Sequence, residues 1–216
     1  MAFYVRLMRQ VDIAQVTEID HEAFSTQWPP TNYHHELKNS LAHYAVACET
    51  GKKIPGEPEA EVALERSRPG LISRVKQLFN RNRSSNTETL LLSEEKIVGL
   101  AGFWIMAGEA HVTSIAVRQT YQRCGIGEAL MIFLTELAKK LDARILTLEV
   151  RASNIAAQNL YSKYGFTRVG LRRGYYTDNR EDAILMSTEE ITSASFQARI
   201  YQLKQAHSRR WETTHN

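Results

Sequence analysis

The sequence is poor in the features that mark several large classes of protein. Only two cysteines, Cys48 and Cys124, occur in 216 residues, far apart and without metal-ligand spacing. A disulfide framework and a metal site are therefore not expected, and a reducing, cytoplasmic setting is. No uninterrupted apolar run reaches about 18 residues, so no membrane span is expected. The opening MAFYVRLMRQ lacks a long apolar core, so no secretory signal is read there. Neither sign of charge dominates: 27 Lys and Arg stand against 24 Asp and Glu, a net +3. That balance gives no reason to expect nucleic acid, and no internal repeat is visible. What is present is 43% hydrophobic and 24% charged residues, the make-up of a soluble domain with an ordinary core.

Hydrophobic periodicity places the elements. Residues 3–8 read as a strand, and Asp12 as the N-cap of a helix with Ile13, Val16, Ile19 and Phe24 on one face. Trp28-Pro29-Pro30 closes that segment. A short helix at 31–41 and a strand at 43–48 follow. From Thr50 to Thr89 prolines, glycines and charges displace the pattern, except for a possible helix face of Leu71, Val75, Leu78 and Phe79. Regular structure returns as strands at 89–93 and 96–106, joined by a turn at Glu94-Glu95, and at 110–117. Residues 125–141 predict an amphipathic helix with Ile126, Leu130, Phe133, Leu134, Leu137 and Leu141 inward. ARILTLEV (143–150) has the unbroken apolar character of a strand buried on both faces. A helix at 154–164, ended by Gly165, two last strands and a terminal helix at 189–207 complete a mixed α/β chain.

The stretch from Ile115-Ala116-Val117 to Arg123-Cys124-Gly125-Ile126-Gly127-Glu128 is a strand, a loop, a spaced glycine pair and a helix start. A helix N-terminus leaves amides unpaired and carries partial positive charge, so it suits phosphate oxygens. The glycines let backbone approach a ligand, and Arg123 adds a cation. A glycine pair alone also fits a plain strand-to-helix turn. The loop lacks the G-K-[ST] of a Walker loop, and the third glycine and distant acid of a dinucleotide fingerprint.

In its order of elements, Gln122-x-x-Gly125-x-Gly127 after an apolar strand resembles the acetyl-CoA pyrophosphate loop of GNAT acetyltransferases. Downstream, Leu148-Glu149-Val150-Arg151-Ala152-Ser153-Asn154 is similar to the RimI group of that family, the acetyltransferases of a ribosomal protein's N-terminal alanine. So are Asn159-Leu160-Tyr161, Gly165-Phe166, Arg172-Arg173, Tyr175-Tyr176 and Arg180-Glu181-Asp182-Ala183. The close resemblance covers about residues 110–187. It implies a GNAT fold: a central, mixed, mostly antiparallel sheet flanked by helices and splayed around acetyl-CoA. Its site would use Ile115, Ala116, Val117, Arg123, Cys124, Gly125, Ile126, Gly127, Glu128 and Asn154 for acetyl-CoA, and no metal. Cys124 departs from the family, which has a longer polar residue there.

Each candidate also has a reading from its own chemistry. Glu149 ends a strand beside the loop and can accept a proton, or can be a salt bridge with Arg151. Asn154 can cap the following helix or hold the pantetheine arm. Tyr161 is seven residues along the same helix, as a core residue or as a proton donor to the leaving thiolate. The resemblance assigns catalysis to Glu149 and Tyr161, and gives Trp28 and the 175–181 loop to the acceptor groove. The backbone amide of Val117 is a candidate oxyanion donor. The acceptor expected is a protein N-terminal amine, that of a ribosomal protein's alanine; a small amine or a lysine is the alternative. The organisation expected is one domain over 1–188, with an insertion at about 50–88, and a helical, basic tail over 189–216.

Overall fold

The computed structural model describes residues 2–24, 30–50 and 95–214. The expected insertion beyond Thr50, its 71–79 helix, the 89–93 strand, Glu94 and Trp28 lie outside the described residues. The described chain runs β1 (Ala2–Leu7), α1 (Ile13–Ala23), α2 (Tyr33–Glu36), β2 (Ala42–Thr50), β3 (Lys96–Met106) and β4 (Glu109–Val117). It continues with α3 (Ile126–Lys140), β5 (Ile145–Arg151), α4 (Ile155–Lys163), β6 (Phe166–Tyr176), β7 (Glu181–Thr188) and α5 (Ala194–Thr214). The seven strands form one sheet in the order β1-β2-β3-β4-β5-β7-β6. Every neighbouring pair is antiparallel except β4 with β5.

Helices cover both faces, and strand composition follows from that. In β2, Ala45 and Ala47 enter the core under α3 and α5, while Tyr44, Val46 and Cys48 enter the core under α1 and α2. In β3 the whole run 97–103 is buried. The strand buried on both faces is therefore β3. β5, expected to be one, alternates: Leu146, Leu148 and Val150 are buried, whereas Thr147, Glu149 and Arg151 lie on a half-open face. That face borders a cleft rather than a helix.

Three local expectations change. Asp12 does not cap α1 with its side chain. It is buried, holds the Arg6 guanidinium at 2.6 and 2.9 Å, and accepts from the Arg9 backbone amide at 2.6 Å. The charge of Arg6 outcompetes a neutral amide for the carboxylate. The second helix spans only Tyr33–Glu36, capped by Asn32. On α3, Leu141 is exposed and Phe133 only half-buried, while Met131, Ile132, Thr135 and Ala138 are buried together with the expected Ile126, Leu130, Leu134 and Leu137. The extra burial arises because α5 lies against a second face of α3, with Phe196 and Ile200 in the shared core.

Candidate active site

The parallel pair β4–β5 is in register only from Glu109 opposite Ile145 to Val112 opposite Leu148. Beyond Val112 the strands part. β4 stays paired with β3 on its other edge as far as Val117, so the edge turned toward β5 has no strand partner from Thr113 on. A shift between Gly102 and Phe103 leaves Thr113 as the extra, bulged residue where the divergence begins. The space opened is a cleft of about 610 Å³, with Phe24 just after α1, Ser114, Ile115, Glu149, Tyr161 and Tyr176 among its walls.

Glu149 is on the open face of β5, its side chain 8% exposed. Its Oε2 lies 2.9 Å from His111 Nε2 and its Oε1 3.2 Å from Arg172 Nη1. The hydrogen bond from His111 holds its carboxyl below the usual carboxylate range, against the opposing effect of burial. His111 Nδ1 meets Thr147 Oγ1 at 3.1 Å, which orients the ring. The expected partner Arg151 is engaged elsewhere: with Asp178 at 2.8 Å, Glu181 at 3.2 Å and the face of Tyr176, 3.9 Å from its centre. Sequence reasoning missed His111. In sequence it is one polar residue in a strand; the parallel register, which sets it opposite Thr147, carries it to Glu149.

Tyr161 is buried on α4, its ring 5.8 Å from Phe166. Burial pushes its phenol up to about 12, so the hydroxyl stays protonated. Asn154 caps α4: its Oδ1 accepts from the Ala157 amide at 3.0 Å, and the residue also borders the cleft.

The phosphate-loop candidates lie at the far end of β4. Gly125 is the N-cap of α3 in left-handed conformation, φ +84°. Arg123 is left-handed too, φ +64°. Such turns converge successive N–H groups into an anion-binding hollow. The Arg123 and Cys124 side chains are exposed, and Cys124 Sγ lies 3.6 Å from the Gln122 carbonyl. Ile126 and Ala116 are buried in the two cores. The Glu128 carboxylate is committed to Lys163 at 2.5 Å, Arg210 at 2.8 Å and the Tyr164 hydroxyl at 3.0 Å. Ile115 lines the cleft; Val117 is at the loop end of β4, opposite Gly99, outside the cleft lining. Gly125 is needed for a reason the sequence did not show. A Cβ there would meet Trp211 Nε1 at 3.1 Å and His207 Nε2 at 3.3 Å, both on α5. Its bare face is turned to the protein.

Acetyl-CoA can be tested against these features. Among the described residues, the Ser114 hydroxyl is the buried side-chain polar atom without a hydrogen-bond partner, and it borders the cleft. The open edge of β4 offers backbone groups to an amide-bearing arm, and the α3 N-terminus offers amides to a pyrophosphate. The residues fit.

A sheet splayed beside a helix N-terminus, with a carboxylate–imidazole pair and a buried phenol in the opening, is an arrangement suited to acyl transfer. The acetyltransferase (GNAT) family model matches residues 59–166. The chain is 34% identical over 183 residues to a Bacillus subtilis (strain 168) protein named "Putative ribosomal protein bS18-alanine N-acetyltransferase", covering 84% of this chain and 92% of that one. It is 43% identical over 99 residues to the ribosomal protein bS18-alanine N-acetyltransferase of Escherichia coli (strain K12), covering 45% and 67%. The crystal structure of the Escherichia coli ribosomal-protein-S18-alanine N-acetyltransferase superposes with a TM-score of 0.62 at 25% identity, covering 89% of this chain and 96% of that one. The chain belongs to the GNAT family and is an N-acetyltransferase.

Proposed function

We propose that this protein transfers the acetyl group of acetyl-CoA to the N-terminal α-amine of a protein, with the N-terminal alanine of a small-subunit ribosomal protein as its acceptor. The observation that carries the reading is the meeting of Glu149, His111 and Tyr161 in one cleft, in a chain whose relative over 92% of that relative's length bears such a name. The GNAT domain proposed spans residues 1–188, with an insertion at about 50–88, and the helical segment that follows packs against it through Phe196 and Ile200.

When bound, acetyl-CoA supplies a thioester whose carbonyl carbon gains the amine nitrogen as the carbon–sulfur bond breaks. The remaining tasks fall to the chain. Backbone N–H groups on the open edge of β4 stabilise the carbonyl oxygen; Ile115, in the cleft lining, is better placed for this than Val117. Glu149, held ionised, orients His111 and balances the positive charge that the pair gains on taking the amine proton. Tyr161, held protonated, donates to the departing sulfur. Ser114 and Asn154 hold the pantetheine arm, and the amides of Arg123 to Glu128 hold the pyrophosphate. Tyr175, Tyr176 and Asp178 border the acceptor's entrance.

The choice of acceptor follows from charge and basicity. An α-amine titrates near 8 and a lysine near 10.4, so at neutral pH the α-amine is unprotonated several hundred times more often, by roughly 2.5 pH units. Among the described residues, the cleft acids Glu149 and Asp178 are both paired with arginine, which disfavours a polyamine or aminoglycoside. The test is mass spectrometry of an alanine-initiated ribosomal-protein peptide incubated with acetyl-CoA and the enzyme. Acetylation at the α-amine is expected; transfer only to lysine, or only to small amines, would refute the acceptor.

A further inference from the structure

We infer that α5, outside the stretch of family resemblance, is a working part of the acetyl-CoA site, and that His207 is a positioning residue for the phosphate loop. This rests on the acetyl-CoA reading above. The helix runs antiparallel to α3. Lys139 meets Gln197 at one end, Lys204 meets Glu136 at 2.6 Å further along, and His207 arrives at the α3 N-terminus. Phe196 and Ile200 fix its first half in the core, and Trp211 packs edge-on against Phe3, ring centres 5.3 Å apart.

At the loop, His207 Nε2 donates to the Gly125 carbonyl at 3.0 Å. The same carbonyl accepts the first helical bond of α3, from the Ala129 amide at 3.0 Å. A carbonyl oxygen has two lone pairs, and both are then used. The peptide between Gly125 and Ile126 is planar and trans, so fixing its oxygen fixes the opposed Ile126 N–H. That N–H is one of the unpaired donors at the helix start, aimed out of the N-terminal end where the pyrophosphate is proposed to sit. Burial keeps His207 readily neutral, and a carbonyl partner requires the proton on Nε2. A second tie acts one turn on: Arg210 holds Glu128 at 2.8 Å. Trp211 closes over the bare face of Gly125. The loop is thus held in its phosphate-ready shape from behind by a helix that need not touch the ligand.

The test is calorimetric titration of acetyl-CoA, with steady-state kinetics, on the full chain carrying His207→Ala, His207→Gln or Lys204→Ala. Glutamine retains an N–H donor at similar reach. Expected is an approximately fivefold rise in Kd and in KM for acetyl-CoA with His207→Ala, the size of one lost hydrogen bond, with kcat within twofold. His207→Gln recovers most of the affinity. Lys204→Ala, which cuts a tie of the same helix away from the loop, leaves Kd unchanged. Amide exchange at 123–128 accelerates in His207→Ala alone. Unchanged Kd in His207→Ala, in a wild type that binds acetyl-CoA, overturns the inference and leaves α5 as a brace. A wild type that binds no acetyl-CoA overturns the functional reading and the inference with it.

Discussion

The two ends of the β4–β5 cleft are made of different material. At the end proposed to carry the chemistry, side chains would do the work: Glu149, His111 and Tyr161 come from β5, β4 and α4, and their value would lie in charge, proton and position. At the end proposed for the pyrophosphate the useful groups would be backbone amides, and the side chains there are either exposed, as at Arg123 and Cys124, or committed elsewhere, as at Glu128. The contrast explains why Cys124 can depart from the family residue: its side chain is no part of the hollow. It also says where substitutions hurt. At one end they change chemistry, at the other they change φ and spacing.

The sharpest way to break this division is Tyr161→Phe. Removing one hydroxyl from a buried ring leaves packing intact, so kcat is expected to fall by about 10²- to 10⁴-fold while acetyl-CoA affinity stays within twofold. Single-turnover rates and titration calorimetry separate the two. Full turnover would remove the phenol from the mechanism.

Glu149→Gln comes next, with a loss of about 10²-fold in kcat, because His111 and Arg172 lose their counter-charge. The pH dependence has a definite sign. The carboxyl of Glu149 is held low, so its ionised, working form persists as pH falls through the ordinary carboxylate range. An acid limb caused by Glu149 must therefore lie below the ordinary carboxylate range. A limb near neutrality in the pH–rate profile that vanishes in Glu149→Gln but survives in His111→Phe would reverse the roles assigned to the pair.

The sequence disclosed the two ends unequally. Glu149, Tyr161 and the glycine loop could be picked out because each sits in a local motif, with neighbours at fixed spacing. His111 could not, because what joins it to Glu149 is a strand pairing between residues 38 positions apart. Strand boundaries at 96–106 and 110–117 were readable from apolar runs, and β3 and β4 lie at or within one residue of them. Burial was not: β5 looked doubly buried because Ile145, Leu146, Leu148 and Val150 are apolar, yet one face of that strand opens on the cleft. The terminal helix was visible through Phe196, Ile200 and Leu203, although it spans Ala194–Thr214 rather than 189–207 and Ile191 lies before it, but its meeting with Gly125, 82 residues away, is a fact of the fold.

At the phosphate end, Gly125→Ala is expected to cost about 1–2 kcal/mol in stability, since the left-handed conformation disfavours any Cβ and this one would press on Trp211 and His207. Acetyl-CoA affinity should fall with it, read by melting with and without ligand. A comparable effect on stability alone belongs to Glu128. Burial pushes its carboxyl up, but the bonds from Arg210, Lys163 and Tyr164 prevail and leave it at about 2. A folded-state value below the unfolded one adds stability above about pH 4.5, lost as pH falls toward 2. After screening by solvent this is about 1–2 kcal/mol. Chemical denaturation between pH 6 and 2.5 should show a shallower loss in Glu128→Gln, and an identical slope would mean that the cluster contributes nothing.

The smallest effect, and the one that best sharpens the comparison, is Gly127→Ala. The two loop glycines look equivalent in sequence, but only Gly125 has a positive φ. A Cβ on Gly127 would rest 3.6 Å from Leu160 Cδ2, an ordinary contact, between α3 and α4. Alanine is also the better helix former, by up to about 1 kcal/mol in a helix interior and less in a first turn. The free protein should therefore melt at the same temperature or slightly higher. On the proposal that α3 meets its ligand through amides at its N-terminal end, and with Gly127 already inside the helix, acetyl-CoA affinity should change by less than threefold. If Kd instead rises tenfold or more with the melting temperature unchanged, the ligand presses on the Gly127 Cα. The arm of acetyl-CoA would then run between α3 and α4 rather than along the open edge of β4, and the phosphate end would depend on side-chain volume as strictly as the chemical end does.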